Sequence, residues 1–186
     1  MMKETNIKEK YLWLAVIVVY LTILSTLFMG RPFANQLRDQ NVQAVFFLLG
    51  MFLVGAAVLL HGLIRKPSGI EYAVLIGIIG VYVMLFFRLG APERSHLIEY
   101  SVLAILLHKA IRRRPKLEGT VWKPALLAWL AGVLLGTLDE GIQYFLPERV
   151  FDTVDIVFNG MAITMAIIAT MILNWLSKRF RKNRAD

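Results

Sequence analysis

The stretch LDEGIQYFLPERVFDTVDIVFNG, residues 138–160, places five acids, Asp139, Glu140, Glu148, Asp152 and Asp155, between two apolar runs. Of the 186 residues, 58% are hydrophobic, so carboxylates gathered in one place stand out. Ionised groups at the edge of hydrocarbon cost several kcal/mol unless paired or hydrated, and they turn toward a bundle interior or water. The position of these acids relative to a bilayer therefore sets both topology and function.

Working outward, the apolar runs at 11–29, 42–64, 70–87, 95–111, 122–138 and 156–175 each approach the roughly 20 residues needed to cross a hydrocarbon core of about 30 Å. The run at 95–111 is the weakest, short and carrying Glu99 near one end. The expected fold is all-α, a polytopic membrane helical bundle of about six transmembrane helices. Residues 1–186 form one integral membrane domain in this reading. Two N-terminal spans lie in 1–69, a core in 70–176 and a basic tail in 177–186. The first run follows Lys3, Lys8 and Lys10 but is longer than a signal-peptide core and ends at Gly30-Arg31-Pro32 without a small-residue cleavage pattern, so it reads as a retained span.

Charge supports six crossings. With both termini in the cytoplasm, only Arg31, Arg38, Arg88, Arg94 and Arg149 of the 21 lysines and arginines lie on the outer side. That asymmetry follows the positive-inside rule and predicts a multi-pass cell-membrane protein. It also accounts for the net charge of +8 without nucleic acid, for which no motif is present. The absence of cysteine excludes disulfides, thiolate metal sites and cysteine nucleophiles.

Most acids then gather near the outer side, with 138–160 expected as an external loop and its flanks. Asp139 and Gln143 stand four apart and Glu140 and Gln143 three apart, sharing a face if the helix continues that far. Pro147 then interrupts the pattern. Asp152, Asp155 and Asn159 follow at steps of three and four, as do His96, Glu99 and Tyr100 at the start of the fourth span. Asp155, Asn159 and Glu99 would lie deepest, with Arg88, Arg94 or Arg149 as counter-charges. Two readings stand side by side: an ion-pair network locking helix ends, and a ligand-binding or catalytic pocket.

The pattern also resembles the VanZ-like family of small membrane proteins, over about residues 88–175. The family's basic residue followed by His-x-x-Glu-Tyr corresponds to Arg94, His96, Glu99 and Tyr100. Its Asp-Glu-x-x-Gln-x-Phe-x-Pro-x-Arg corresponds to Asp139, Glu140, Gln143, Phe145, Pro147 and Arg149, and its Asp-x-x-x-Asn to Asp155 and Asn159. Ile142 stands where a histidine is frequent, and Ala162 where a glycine is common. The family takes its name from a protein associated with teicoplanin resistance. The resemblance implies an extracytoplasmic polar site binding a cell-wall precursor or lipoglycopeptide and contributing to glycopeptide resistance. Its ligand-binding candidates are Arg94, His96, Glu99, Tyr100, Asp139, Glu140, Gln143, Arg149, Asp155 and Asn159.

The alternative is a membrane enzyme acting on a lipid-linked or cell-wall substrate. Glu140 or Asp139 would be the general base, His96 the general acid and Arg149 an anion clamp. No cofactor and no metal ligand is assigned, although Asp139, Asp152 and Asp155 offer oxygen ligands suited to a divalent ion. An ion-coupled transporter resting on Glu99 and Asp155 is the third reading, disfavoured by the lack of an internal repeat. Three smaller features complete the pattern. Gly132 and Gly136 form a GxxxG suited to close helix packing. Trp122 and Trp175 suit the membrane interface. His61 and His108 read as interfacial histidines. The bilayer is the one certain partner, and spacing leaves the oligomeric state open.

Overall fold

A computed structural model describes residues 2–28, 68–88, 91–114, 117, 119–147 and 151–182. Among them are five helices: α1 (Met2–Leu27), α2 (Gly69–Arg88), α3 (Ala91–Arg112), α4 (Trp122–Gln143) and α5 (Thr153–Lys182). Four are long and apolar enough to cross a membrane: Glu9–Leu27 within α1, α2, α4 and Thr153–Arg179 within α5. The chain is a polytopic all-α membrane bundle with four such helices among the described residues. The expected span at 42–64 lies outside the described residues.

Two compact units partition the chain. One comprises Met1–Phe28 and Met84–Ile172, the other Met29–Val83 and Leu173–Asp186. In the first, α3 packs against both α1 and α4. A helix enclosed by other helices buries Leu97, Tyr100, Ser101, Leu103, Ala104, Leu107, His108, Ala110 and Ile111 against protein, so its side chains answer to neighbours rather than to lipid. The least convincing span by hydropathy is thus the most enclosed helix described.

Small residues let α4 approach its partners. A Cβ placed on Gly132 would stand 3.2 Å from Ile163 Cδ1, and one on Gly136 would stand 3.2 Å from both Asn159 Cβ and Tyr100 Cε1. The GxxxG therefore packs inside the bundle, against α5 at both glycines and against α3 at the second. Deeper along α5, the Ser101 hydroxyl donates to the Ala162 carbonyl at 3.5 Å and ties α3 to α5. On the outer surface the Trp129 indole donates to Thr164 Oγ1 at 2.9 Å.

Helix ends differ from the hydropathy boundaries. α4 continues five residues past Leu138, and the Tyr144, Phe145 and Leu146 amides close its last turn onto the carbonyls of Glu140, Ile142 and Gln143 before Pro147. α5 begins before the apolar run because Asp152 caps it, its Oδ1 accepting from the Val154 amide at 2.8 Å. The flanks of the expected external loop are thus helical to Gln143 and from Thr153.

At the opposite end of α1 and α3, the Arg114 guanidinium lies 5.1 Å from the centre of the Trp13 ring and 3.9 Å from Glu9 Oε1. The Trp13 indole donates to the same oxygen at 3.4 Å. In the second unit, Ser68 and Glu71 form a reciprocal cap on α2. The Ser68 amide donates to Glu71 Oε2 at 2.7 Å and the Glu71 amide to Ser68 Oγ at 3.3 Å. Also in that unit, Arg179 lies over Trp175 at 5.6 Å.

Candidate functional site

The continued helix of α4 carries Asp139, Glu140 and Gln143 inward, and all three are buried. Glu140 is held on both oxygens. Gln143 Nε2 donates to Oε1 at 2.7 Å, and the Asp152 amide donates to Oε2 at 3.4 Å. Neutral donors can hold a carboxylate in a low-dielectric interior, and each such bond to a charged group is worth about 1.5–3 kcal/mol. The sequence pattern suggested guanidinium partners instead. Arg149 lies outside the described residues, as does the side chain of Arg94, and Arg88 is exposed at the end of α2.

From α3, His96 joins the two acids. One ligand atom each from His96, Asp139 and Glu140 lie within 4.8 Å of one another. His96 Nε2 faces Asp155 Oδ2, on the first turn of α5, at 3.8 Å. Its Nδ1 is buried and has no hydrogen-bond partner among the described residues. The ring also stacks near that of Tyr100, with centroids 6.1 Å apart and planes 20° from parallel. Tyr100 is fully buried, with its hydroxyl in the field of the Asp139 carboxylate.

Asn159 is buried one turn beyond Asp155, against Gly136, and neither its Oδ1 nor its Nδ2 has a partner among the described residues. Glu99 is half-buried and adjoins Tyr100 electrostatically. The deepest groups are thus Asp139, Glu140 and Asn159, whereas Asp155 and Glu99 lie nearer the edge.

Two residues of the interior escaped the sequence pattern. Tyr20 of α1 reaches across to the Leu135 carbonyl at 3.4 Å and adjoins Asp139 electrostatically. A lone tyrosine in an apolar run carries no spacing signal. His108, expected at the interface, is 2% exposed, and neither of its ring nitrogens is hydrogen-bonded among the described residues. The metal-ligand geometry differs as well. The candidate trio is His96, Asp139 and Glu140, where ligand chemistry alone offered the oxygen set Asp139, Asp152 and Asp155.

Chemically, one imidazole and two carboxylates form a nitrogen–oxygen donor set suited to zinc or manganese. Two carboxylates buried side by side repel each other, and a divalent cation between them would offset that repulsion. The buried His96 Nδ1 has no protein partner among the described residues, while Asp155 Oδ2 stands 3.8 Å from the other nitrogen. The residues fit such an ion. Without one, the same groups still form an acid–base cluster.

Compared with known proteins, the chain matches no family model, no curated protein and no solved structure. This corrects the expected role. An extracytoplasmic pocket for a wall precursor or lipoglycopeptide, with a part in teicoplanin resistance, has no support from any relative. Of the acids in the stretch 138–160, Asp139 and Glu140 are helix residues buried in the bundle beside His96. The local reason is that backbone hydrogen bonding carries α4 past the point where its apolar run ends, turning Asp139 and Glu140 inward.

Proposed function

We propose that this chain is a membrane-embedded enzyme centred on His96, Asp139 and Glu140, performing acid–base chemistry with a divalent cation on a lipid-linked or cell-wall substrate. The observation that carries this reading is the approach of the three ligand atoms within 4.8 Å, from two helices, inside a membrane bundle. A bound divalent ion supplies Lewis acidity and activates a water at neutral pH. The protein's own groups do the positioning. Asp155 orients the His96 ring, while Gln143 and the Asp152 amide fix the Glu140 carboxylate. Tyr100 and Asn159 add a hydroxyl and an amide beside the acids, where they can steady charge on a bound head group.

The test is twofold. Purified protein should bind about one zinc or manganese ion per chain, measured by elemental analysis after dialysis, and the His96→Ala/Asp139→Asn/Glu140→Gln triple variant should bind none. Incubation with radiolabelled lipid-linked wall precursors should give a metal-dependent product. A wild-type chain that neither retains metal nor turns over these lipids overturns the proposal.

We also propose six crossings with cytoplasmic termini, and kinship with the VanZ-like family at the level of this shared polar pattern. The charge asymmetry and the ordered motif residues support both. Reporter fusions in the segment 144–152 test the topology, and a cytosolic signal there refutes it.

A further inference from the structure

Among the described residues, the more exposed members of the site lie together. Asp139, Glu140 and Asn159 are at most 1% exposed, whereas the side chains of His96 and Asp155 are 12% and 19% exposed. The cluster therefore meets its surroundings between the start of α3 and the start of α5. Further along, the Ser101–Ala162 bond closes the same helix pair. Asp139 and Glu140 lie 17 or 18 residues into α4, about 26 Å along its axis, a distance within one hydrocarbon thickness. At that level Leu138, Val154 and Val157 are 50–69% exposed, apolar side chains suited to lipid.

Beside this edge is an aromatic rim. Tyr144, Phe145 and Phe151 are 71%, 81% and 41% exposed. They pack edge to face, with ring centroids 5.3 Å apart for Tyr144 and Phe145 and 6.3 Å for Tyr144 and Phe151. The rim is fastened to the site itself. The Tyr144 amide bonds the Glu140 carbonyl at 3.1 Å, and Phe151 precedes Asp152, whose amide bonds the Glu140 carboxylate. Three contiguous rings held out of the core mark an interaction surface, and Tyr beside Phe at a helix end suits the membrane interface.

Resting on the enzyme reading above, we infer that the substrate is a lipid phosphate that enters sideways from the bilayer between α3 and α5, with its tail against Tyr144, Phe145 and Phe151. The chemistry selects that class. A divalent ion held by nitrogen and oxygen ligands takes phosphate oxygens. A soluble phosphate has no use for the rings, whereas an acyl or polyprenyl chain does.

The experiment uses the full chain in vesicles of phosphatidylcholine, treated either with apolar dicyclohexylcarbodiimide or with a water-soluble, charged carbodiimide. Modification of Asp155, which is outside the ligand trio, is counted by peptide mass spectrometry. The apolar reagent should label at least tenfold faster. Polyprenyl phosphate or phosphatidic acid at a few mole per cent should slow labelling several-fold, and millimolar glycerol phosphate should not. Protection by only one of the two lipids identifies the tail and supports the inference equally.

A Tyr144→Ser/Phe145→Ser variant should lose most of the lipid protection at unchanged metal content. A Phe145→Leu variant should keep it, which separates an apolar contact from misfolding. Faster labelling by the charged reagent, labelling by neither reagent, protection by glycerol phosphate, or full lipid protection in the serine variant each overturns the route. Metal content read on the same samples separates this failure from that of the enzyme reading. Normal metal with aqueous labelling refutes the route alone. Absent metal with lipid-protected labelling refutes the metal centre alone.

Discussion

The two polar ends of the first unit make opposite use of charge. At one end, Glu9, Trp13 and Arg114 clasp α1 to α3 with side chains partly in water, Glu9 at 23% and Arg114 at 57% exposed. At the other, Asp139 and Glu140 are sealed between helices with His96 and Asn159. An exposed pair gains little, about 0–1 kcal/mol, because water competes for both partners. A buried group has no such fallback, so losing one partner leaves the rest stranded at several-fold greater cost. The clasp is interchangeable and the sealed cluster is not.

Four measurements sharpen or break that contrast. The largest effect belongs to the ligand trio. Glu140→Gln keeps the shape but should weaken zinc or manganese binding by more than roughly 100-fold, abolishing the stabilisation of about 2.7 kcal/mol that wild type gains at a metal concentration 100 times its Kd. Thermal unfolding in detergent with and without metal reads this, and an undiminished metal-induced shift removes Glu140 from the centre.

Next comes Gly136→Ala. Its methyl would stand 3.2 Å from Asn159 Cβ and Tyr100 Cε1, one on each neighbouring helix, so overpacking should cost about 1–3 kcal/mol. Gly141→Ala, with nothing within 4 Å, is the control and should be near neutral or slightly stabilising, since alanine favours a helix. Equal melting temperatures for the two variants would mean that the close approach at Gly136 is not required.

Gln143→Ala should be milder still. It frees Glu140 Oε1 from one donor and should reduce metal affinity about 10-fold in a calorimetric titration. Unchanged affinity would mean that Gln143 does not orient the carboxylate. Arg114→Ala should shift stability by no more than about 1 kcal/mol, and added salt should shrink even that. A loss as large as that of Gly136→Ala would erase the distinction between the ends.

Much of this arrangement is visible in the residues. The three-and-four spacing of Asp139, Glu140 and Gln143 places them on one helical face, and α4 carries all three inward. Helix ends are harder to see, because hydropathy falls at the first acid while backbone hydrogen bonding continues. That is why the apolar run stops at Leu138 while the helix runs on to Gln143. Convergence between helices is harder again. His96 and Glu140 are 44 positions apart, and spacing along a single helix relates neither of them to the other. His108 shows the same limit: its place on α3 suggests an interface, but enclosure by neighbouring helices buries it.

Thr22, Thr137, Thr164 and Thr170 each donate to the carbonyl four residues earlier in the same helix, at 2.7–2.9 Å. These threonine hydroxyls are therefore satisfied within their own helices before any neighbour arrives. Glu140 finds one donor, Gln143, on its own helix, but its second donor and the acid that faces His96 arrive on another segment. A variant altered at the polar cluster should therefore still reach the membrane while failing to draw its helices together.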